Sequence, residues 1–586
     1  MAARPTIRQQ IDGLLRGGKH AQARAILERA LKRDPKDPAL CRIMAKLLAA
    51  QGDAVRSAVY LERLVSAQPT DPTARAALAE QLLHSEKPDQ AEKAARKLMY
   101  LGPAAAASAG MVSTLLLSSG LHAAALELGD WAYANNPDDA RTAGYAAAAR
   151  IFTGDHAGGV EILRSTADAR AAEASLQCDP LLLMLYCSEF SPQEIFEAHR
   201  VYGELQAAQT PADPPRISDP DPDRPLRVAY ISQDFRNRSA GHFIEGIVAH
   251  HDRAHIEVYC YSHRMNADAL TDRVRACAAE FREIQGVPDP AVDQQIRADK
   301  IDIAVDLTGH TGVNRLGVLA RKPAPVQATY MGYAATTGLG AIGYRLVDAH
   351  TDPSPEADAL ATEQLVRLDG CFLCYTPPAH APDAGPCPAQ RTGSVTFASF
   401  NTFAKITDNV IAAWVEILRS VPGSSLLVKN AGLGDPWLSG RFVDRFVRAG
   451  GDAERLETMG ETPTAAEHMG LYGRVDIALD TFPYNGTTTT LEAAWMGVPV
   501  VTVRGDSHVS RVGVSLLENL GLGDLIGEDI AGYVRTAGVI AGDENRRRLL
   551  RDELRGRVRD RLSDFGAFVP RLETAYRAMW HRAVGQ

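Results

Sequence analysis

Residues 476–513 read DIALDTFPYNGTTTTLEAAWMGVPVVTVRGDSHVSRVG, and they decide the architecture of the second half of the chain. An apolar run ends at Asp480. A tight segment with Pro483, Asn485 and Gly486 follows, and Thr487, Thr488, Thr489 and Thr490 then open a helix with Glu492 in its early turns. PVVTV at 499–503 is a second apolar run. Strand, turn, helix and strand in that order make a βαβ unit of a parallel sheet. The first N–H groups of a helix have no partner inside it and carry partial positive charge, which suits a phosphate. Gly486 would let the backbone approach such an anion, the threonine hydroxyls would add donors, and Glu492 could accept bonds from two neighbouring ribose hydroxyls. A helix cap needs one threonine, and a run of four exceeds that need.

Working outward, the same alternation covers the rest of this half. RVAYIS at 227–232, VYCYS at 258–262, DIAVDL at 302–307, QATYMG at 327–332 and RLVDA at 345–349 predict one set of buried strands; VTFASF at 395–400 and SSLLVKN at 424–430 join the two already quoted in a second set. Two Rossmann-like lobes of about 150 residues fit, with the active site expected in a cleft between them, outside the carboxyl ends of the strands. No GxGxxG follows the first strand, which counts against a dinucleotide oxidoreductase. Residues 212–225, ADPPRISDPDPDRP, predict an extended hinge, and their acids are expected in water rather than on a metal.

The first third is built differently. Gly18, Gly52, Glu86, Gly120 and Gly154 stand 34 residues apart, as do Pro35, Pro69, Pro103 and Pro137. That period is the length of a helix–turn–helix TPR unit. Five residues after each start come Ala23, Ser57, Ala91, Ala125 and Gly159, small enough for two helices to approach closely. Ile26, Tyr60, Ala94, Leu128 and Ile162 form an apolar phase facing the next helix. Each proline is expected to end a helix. Such arrays stack into a superhelix that binds protein or peptide, and the helices are expected to continue to about residue 210. Glu86 departs from the glycine usual there.

The bulk numbers exclude several classes. At 586 residues the chain is too long for one core. A net charge of -9 and a pI near 6.0 argue against general nucleic-acid binding. MAARPTIRQQIDGLLRGGKH has no apolar signal-peptide core, and no run of 18 apolar residues predicts a membrane span. Cys371 and Cys374 form a lone CxxC with no second pair at zinc spacing. A reduced cytoplasmic protein is the expectation.

Other side chains complete the candidate site. Lys405, in SFNTFAKIT after the strand at 395–400, is a candidate counter-charge for a departing diphosphate. His242 and His310 follow strand ends in the first lobe, and either could accept a hydroxyl proton or orient an acceptor; singly, each would more often be structural. His468 precedes the strand leading to the threonine run and could stack on a nucleobase or pack. No DxD motif stands at a strand end and no His/Cys cluster has metal spacing, so a metal-independent transfer is expected.

RVAYISQDFRNRSAGHF, PAPVQATYMGYAATTGL, ASFNTFAKIT and DIALDTFPYNGTTTTLEAAWMGVPVV together resemble the O-linked N-acetylglucosamine transferase family, SPINDLY-like members included. The likeness covers about residues 225–565 and extends to the preceding TPR array. It implies a TPR superhelix followed by an α/β GT-B core of two Rossmann-like lobes: repeats over 1–210, a linker over 211–225, lobes over 226–385 and 386–565, and a C-terminal helix over 566–586. It implies inverting, metal-free transfer of a sugar, with UDP-N-acetylglucosamine favoured, to Ser or Thr of a protein held partly by the TPR arm. Lys405 and Thr402 would lie by the diphosphate, Thr487, Thr488 and Thr489 on the phosphates, Glu492 on the ribose, His468 against the base and His242 near acceptor and sugar; the role of His310 is less settled.

Departures from the family touch the donor. Ala334-Ala335 stands where Pro-Gly is usual, Thr402 replaces a glutamine of the animal enzymes, Thr487 a histidine and Glu492 an aspartate. CMP-nonulosonate, UDP-glucose and GDP-fucose donors therefore stay open, with flagellin or adhesin acceptors and Asn as well as Ser or Thr. So do a non-catalytic TPR scaffold, a nucleotide-sugar epimerase and the oligomeric state, a homodimer included.

Overall fold

The structure is a computed structural model that describes residues 6–165, 178–210, 212–217, 219–264, 267–379 and 381–585. It divides into two compact units, Met1–Thr166 and Ala167–Gln586.

Ten α-helices are described in the first unit, from Ile7–Arg16 to His156–Ser165. The 34-residue phase falls on the left-handed turn inside each helix pair: φ is 69° at Gly18, 76° at Gly52, 77° at Gly120 and 90° at Gly154. Glu86 holds the same conformation, φ 57°, at the steric cost a β-carbon brings there. Asp37, Asp71 and Asp139 share another phase, and each caps the next helix by accepting from a backbone N–H three residues on. Ala23, Ser57, Ala91 and Ala125 are fully buried. A β-carbon on Gly159 would lie 2.6 Å from Ile151, so close approach is the reason for the small residues. The apolar phase is buried at Ala94, Leu128 and Ile162 but only half-buried at Ile26 and Tyr60; Leu27 and Leu61, one residue on, take the core instead. Pro35, Pro69 and Pro137 follow just past helix ends, while Pro103 opens a short 3-10 turn, Pro103–Ala105.

The second unit carries two parallel sheets. In the first lobe β1 (Leu226–Ser232), β2 (Ile256–Ser262), β3 (Glu280–Glu283), β4 (Ile303–Asp306), β5 (Val326–Tyr330), β6 (Tyr344–Asp348) and β7 (Gln364–Leu368) lie in the order β3-β2-β1-β4-β5-β6-β7. In the second, β8 (Thr396–Ser399), β9 (Ser425–Lys429), β10 (Leu456–Met459), β11 (Ile477–Leu479), β12 (Val500–Val503) and β13 (Ile526–Gly527) run β10-β9-β8-β11-β12-β13. Both are doubly wound sheets whose order reverses beside the first strand, between β1 and β4 and between β8 and β11. The interior strands, covered on both faces, are the continuous apolar runs that predicted them. One apolar core runs through both lobes.

The ends of this unit tie back to the first lobe. Helix Phe565–Ala583 places the Tyr576 hydroxyl 3.1 Å from that of Tyr230, and Glu573 2.8 Å from His251. The segment before β1 was expected to be a hinge. It is extended, but Arg224 forms a two-pronged ion pair with Asp302, 2.7 and 2.8 Å, and stacks over Trp580. Helices Cys178–Met184 and Pro192–Gln209, expected in the repeat arm, belong to the second unit. Gly203 meets the backbone of Gly338 so closely that a β-carbon would lie 1.7 Å from its carbonyl oxygen. Cys371 and Cys374 are buried free thiols in irregular backbone.

Candidate functional site

The reversal between β8 and β11 leaves a recess lined by Phe400, Asn401, Tyr472, Asp480, Thr489 and Thr490 among others. Asp480, just past β11, organises it. One carboxylate oxygen accepts from the N–H groups of Thr481 and Gly486 at 2.9 and 2.6 Å, the other from the Thr502 hydroxyl at 2.8 Å. Burial pushes this carboxyl up to about 6, against the pull of those donors and of Lys405. The turn so held delivers Gly486 to the start of helix Thr488–Trp495. Glycine is required there because a β-carbon would come within 2.6–2.9 Å of the oxygens of Thr489, Asn401 and Thr490.

The four threonines divide their work. Thr489 donates to Asn401 Oδ1 at 3.0 Å, and Thr490 to the Gly486 carbonyl at 3.2 Å. Thr487, at the cap position, makes no side-chain cap bond. Thr487 and Thr488 are half-exposed residues at the helix mouth, where anions are favoured.

Lys405 comes from the short turn after β8. Its ammonium donates to the Asn485 carbonyl at 2.7 Å and sits 4.2 Å from the centre of the Tyr484 ring. Burial holds it down to about 8, while the charge of Asp480 pulls it up. Tyr484 in turn stacks on Tyr186, ring centres 4.9 Å apart. Lys405 and the threonine helix thus meet on one turn, since Asn485 immediately precedes Gly486 and Thr487. Thr402 has an exposed side chain and contributes only its carbonyl, to the Lys405 N–H; its neighbour Asn401 makes the contact to the threonines.

A second group borders the recess. Lys429, the last residue of β9, donates to His468 Nδ1 at 2.8 Å, and His468 Nε2 lies 3.0 Å from Glu492 Oε2. A lysine donor on Nδ1 leaves Nε2 as the protonated nitrogen, donating to the carboxylate. Tyr472 reaches Glu492 and the Thr489 carbonyl, and Phe400 packs on both His468 and Tyr472. Burial lowers the Lys429 ammonium, opposed by Glu492 and Glu461.

His242 faces this group from the first lobe. It sits at the head of helix Gly241–His250, its ring 6.4 Å from that of Tyr375. Burial lowers its imidazole below the usual range, and the charge of Glu492 pulls it back up. Glu492 raises Tyr375 as well, after burial, so both lobes share one electrostatic neighbourhood. The Tyr375 hydroxyl is buried without a hydrogen-bond partner among the described residues.

His310 is set apart from this group. It was expected beside the acceptor, but it has no exposed surface and is enclosed by the rings of His199, Tyr202 and Tyr333. Its Nε2 meets the Thr337 carbonyl at 2.8 Å, and burial drives it down to about 3. A loop histidine at a strand end and one sealed under a helix from a distant part of the chain look alike in sequence. Reasoning from sequence also missed Asp480, Asn401, Lys429, Tyr375 and Tyr484. Asp480 and Lys429 carried a usable signal, being polar residues at the carboxyl ends of parallel strands. Among the described residues no group of three or more His, Cys, Asp or Glu could hold a metal ion, and no helix is long and apolar enough to cross a membrane.

Known proteins resemble this chain in family and fold. The model of glycosyl transferase family 41 matches residues 212–374 and 390–569. A protein of Solanum lycopersicum described as a probable UDP-N-acetylglucosamine-peptide N-acetylglucosaminyltransferase SPINDLY is 41% identical over 411 residues, 69% of this chain and 44% of its own length. One of Arabidopsis thaliana described as the corresponding SEC enzyme is 29% identical over 368 residues, 61% of this chain and 37% of its own. The chain thus spans less than half the length of these curated relatives. A solved point mutant of the Thermobaculum terrenum O-GlcNAc transferase is 32% identical with a TM-score of 0.80, covering 94% of this chain and 99% of that one.

Proposed function

Because the chain belongs to glycosyltransferase family 41, we propose that it moves a sugar from a nucleoside diphosphate onto a hydroxyl of a protein. The observation that carries this reading is the meeting of Lys405 with the threonine helix on the turn 481–487, with Glu492 of the same helix held by His468. A diphosphate entering there displaces the Asn485 carbonyl from the ammonium. It then takes the free amides and the Thr487 and Thr488 hydroxyls, so that the charge of the leaving group is met without a metal. Glu492 Oε2 is held by His468, which leaves Oε1 to accept from a ribose hydroxyl, with Phe400 and His468 as flat surfaces for the base.

In the transfer, the acceptor Ser or Thr oxygen attacks the anomeric carbon from the face opposite the diphosphate, inverting it. The bond to the phosphate oxygen breaks, and the electron pair leaves on the diphosphate. The hydroxyl proton needs a base in the cleft. His242 is that base in this reading, its lowered pKa keeping it neutral near pH 7. His310 holds the loop behind the site and takes no part in the chemistry. The favoured donor is UDP-N-acetylglucosamine, supported by the names of the relatives, and the helical array of the first unit holds part of the acceptor.

Incubation with UDP-N-acetylglucosamine, UDP-glucose, GDP-fucose and a CMP-nonulosonate, each with and without EDTA, tests the reading. Release of UDP from the first, unchanged by EDTA, is the expected outcome. Turnover of another donor would overturn the sugar, and loss of turnover in EDTA would overturn the metal-free charge balance. Because the Lys405 ammonium titrates near 8 and is lost above that pH, kcat/KM for the donor should fall on an alkaline limb near pH 8.

A further inference from the structure

Tyr484, whose ring lies under the Lys405 ammonium, belongs to a small apolar cluster with Leu185, Ile195, Ala334, Ala335 and Val509. Those five residues also line a recess where the two lobes meet. It is separate from the crevice that holds the threonine helix, and none of its residues belongs to the diphosphate machinery described above.

The polar part of this recess is unusual. Arg345, 4% exposed, points one guanidinium nitrogen at Asp352, 3.6 Å away, and Asp352 also meets His508 Nδ1 at 2.5 Å. The Nη2 of Arg345 is buried and has no hydrogen-bond partner among the described residues. Buried donors are rarely left so, because an unmet donor costs its full desolvation. The guanidinium charge is already matched by Asp352, so the missing partner is a neutral acceptor rather than an anion. On the rim stand two exposed acids, Glu356 and Asp506, which repel an anionic guest. Apolar walls, one neutral acceptor wanted within and a cation wanted at the mouth describe a stretch of polypeptide: an apolar side chain, its carbonyl and a basic neighbour.

We propose that this recess is a side-chain subsite for the acceptor polypeptide, in which an apolar side chain fills the cavity, its backbone carbonyl accepts from Arg345 Nη2, and an adjacent Lys or Arg meets Glu356 and Asp506. The inference rests on the transfer reading above and deepens it. Through Tyr484, which packs on its apolar wall, the subsite lies one aromatic ring from the Lys405 ammonium, so the apolar residue falls at one fixed offset from the modified hydroxyl.

The test uses the full chain, labelled donor and a degenerate peptide library with one fixed Ser, the labelled products being sequenced. Products should be enriched about tenfold for a large apolar residue at a single offset, with Lys or Arg beside it. Ala357→Trp, which fills the cavity from its lobe 1 wall, should abolish the apolar preference while donor hydrolysis by water continues unchanged. Glu356→Lys combined with Asp506→Lys should reverse the charge preference to Asp or Glu and leave the apolar one. Labelling without positional preference, or a preference that survives both changes, overturns the subsite. Donor hydrolysis with no peptide labelled overturns the subsite alone, and absence of both activities overturns the transfer reading with it.

Discussion

The two lobes solve the same local problem with one device and then part ways. Asp306 ends β4 and Asp480 follows β11, the strands that stand at the order reversal of each sheet. Both carboxylates are buried and pushed up to about 6. Both accept from backbone N–H groups of the following loop and from a threonine of the next strand, Thr329 at 2.9 Å and Thr502 at 2.8 Å. Beyond that the loops diverge. After Asp306 the chain turns through Gly309 into His310 and is sealed by aromatic rings. After Asp480 it opens onto a helix mouth with a cation beside it. A frame that holds a loop rigid is therefore not a site; the site exists where the held loop ends in free donors and an unmatched charge.

The largest effect that could break this contrast is the loss of the cation. Lys405→Ala should cut kcat/KM for the donor by about a hundred- to a thousandfold with the melting temperature nearly unchanged; steady-state kinetics with a melting curve checks both. A sharper probe is the matched pair Asp480→Asn and Asp306→Asn. Each should cost about 1–3 kcal/mol of stability in denaturant unfolding, because buried N–H donors lose a charged acceptor. Only Asp480→Asn should also reduce turnover and move the alkaline limb to lower pH, since the charge of Asp480 raises Lys405. Equal loss of turnover in both variants would erase the distinction between the lobes.

The sealed side makes its own prediction. His310 and His199 are pushed down to about 3 and about 4 by burial. Their folded pKa values lie below the unfolded one, so the unfolded chain binds more protons and stability is lost as pH falls. Between pH 6.5 and about 4, each histidine should contribute about 1.4 kcal/mol of lost stability per pH unit. Urea unfolding across that range checks the slope, which His310→Phe should reduce. The smallest effect lies outside both lobes: Glu86→Gly should stabilise the helical array by about 0.5 kcal/mol, relief of the left-handed strain being partly offset by added freedom in the unfolded chain. Thermal unfolding of the full chain, followed on its first transition, measures it.

How much of this was legible in the sequence depended on burial. Nine strands were readable because both their faces are covered. The four that were missed, β3, β7, β10 and β13, are the edge strands of the two sheets. EFRE and LETM have no fully buried position, β13 is two residues long, and β7, QLVRL, buries only Leu365 and Leu368, so no continuous buried run marks them. The repeat was legible because its period is enforced by backbone conformation, which even Glu86 obeys. The helices at 178–209 carry no such period, and what ties them to the second unit is tertiary contact, Gly203 on Gly338 and His199 and Tyr202 on His310, that sequence cannot display. In the site, Thr487 to Glu492 and Lys405 were readable as contiguous motifs. Lys429, Tyr375 and Tyr484 reach it from distant segments, and a lone lysine or tyrosine looks the same wherever it folds.

The central claim is that one ammonium and the exposed amides at Thr487 and Thr488 neutralise a diphosphate without metal. Calorimetric titration of UDP into the EDTA-treated protein at pH 8, in buffers of different ionisation enthalpy, tests it most directly. The account predicts binding with net proton uptake, because a phosphate restores the proton that burial has loosened on Lys405, and loss of both in Lys405→Ala. Binding that needs added divalent metal, or that is equally tight with no proton change in Lys405→Ala, would contradict it.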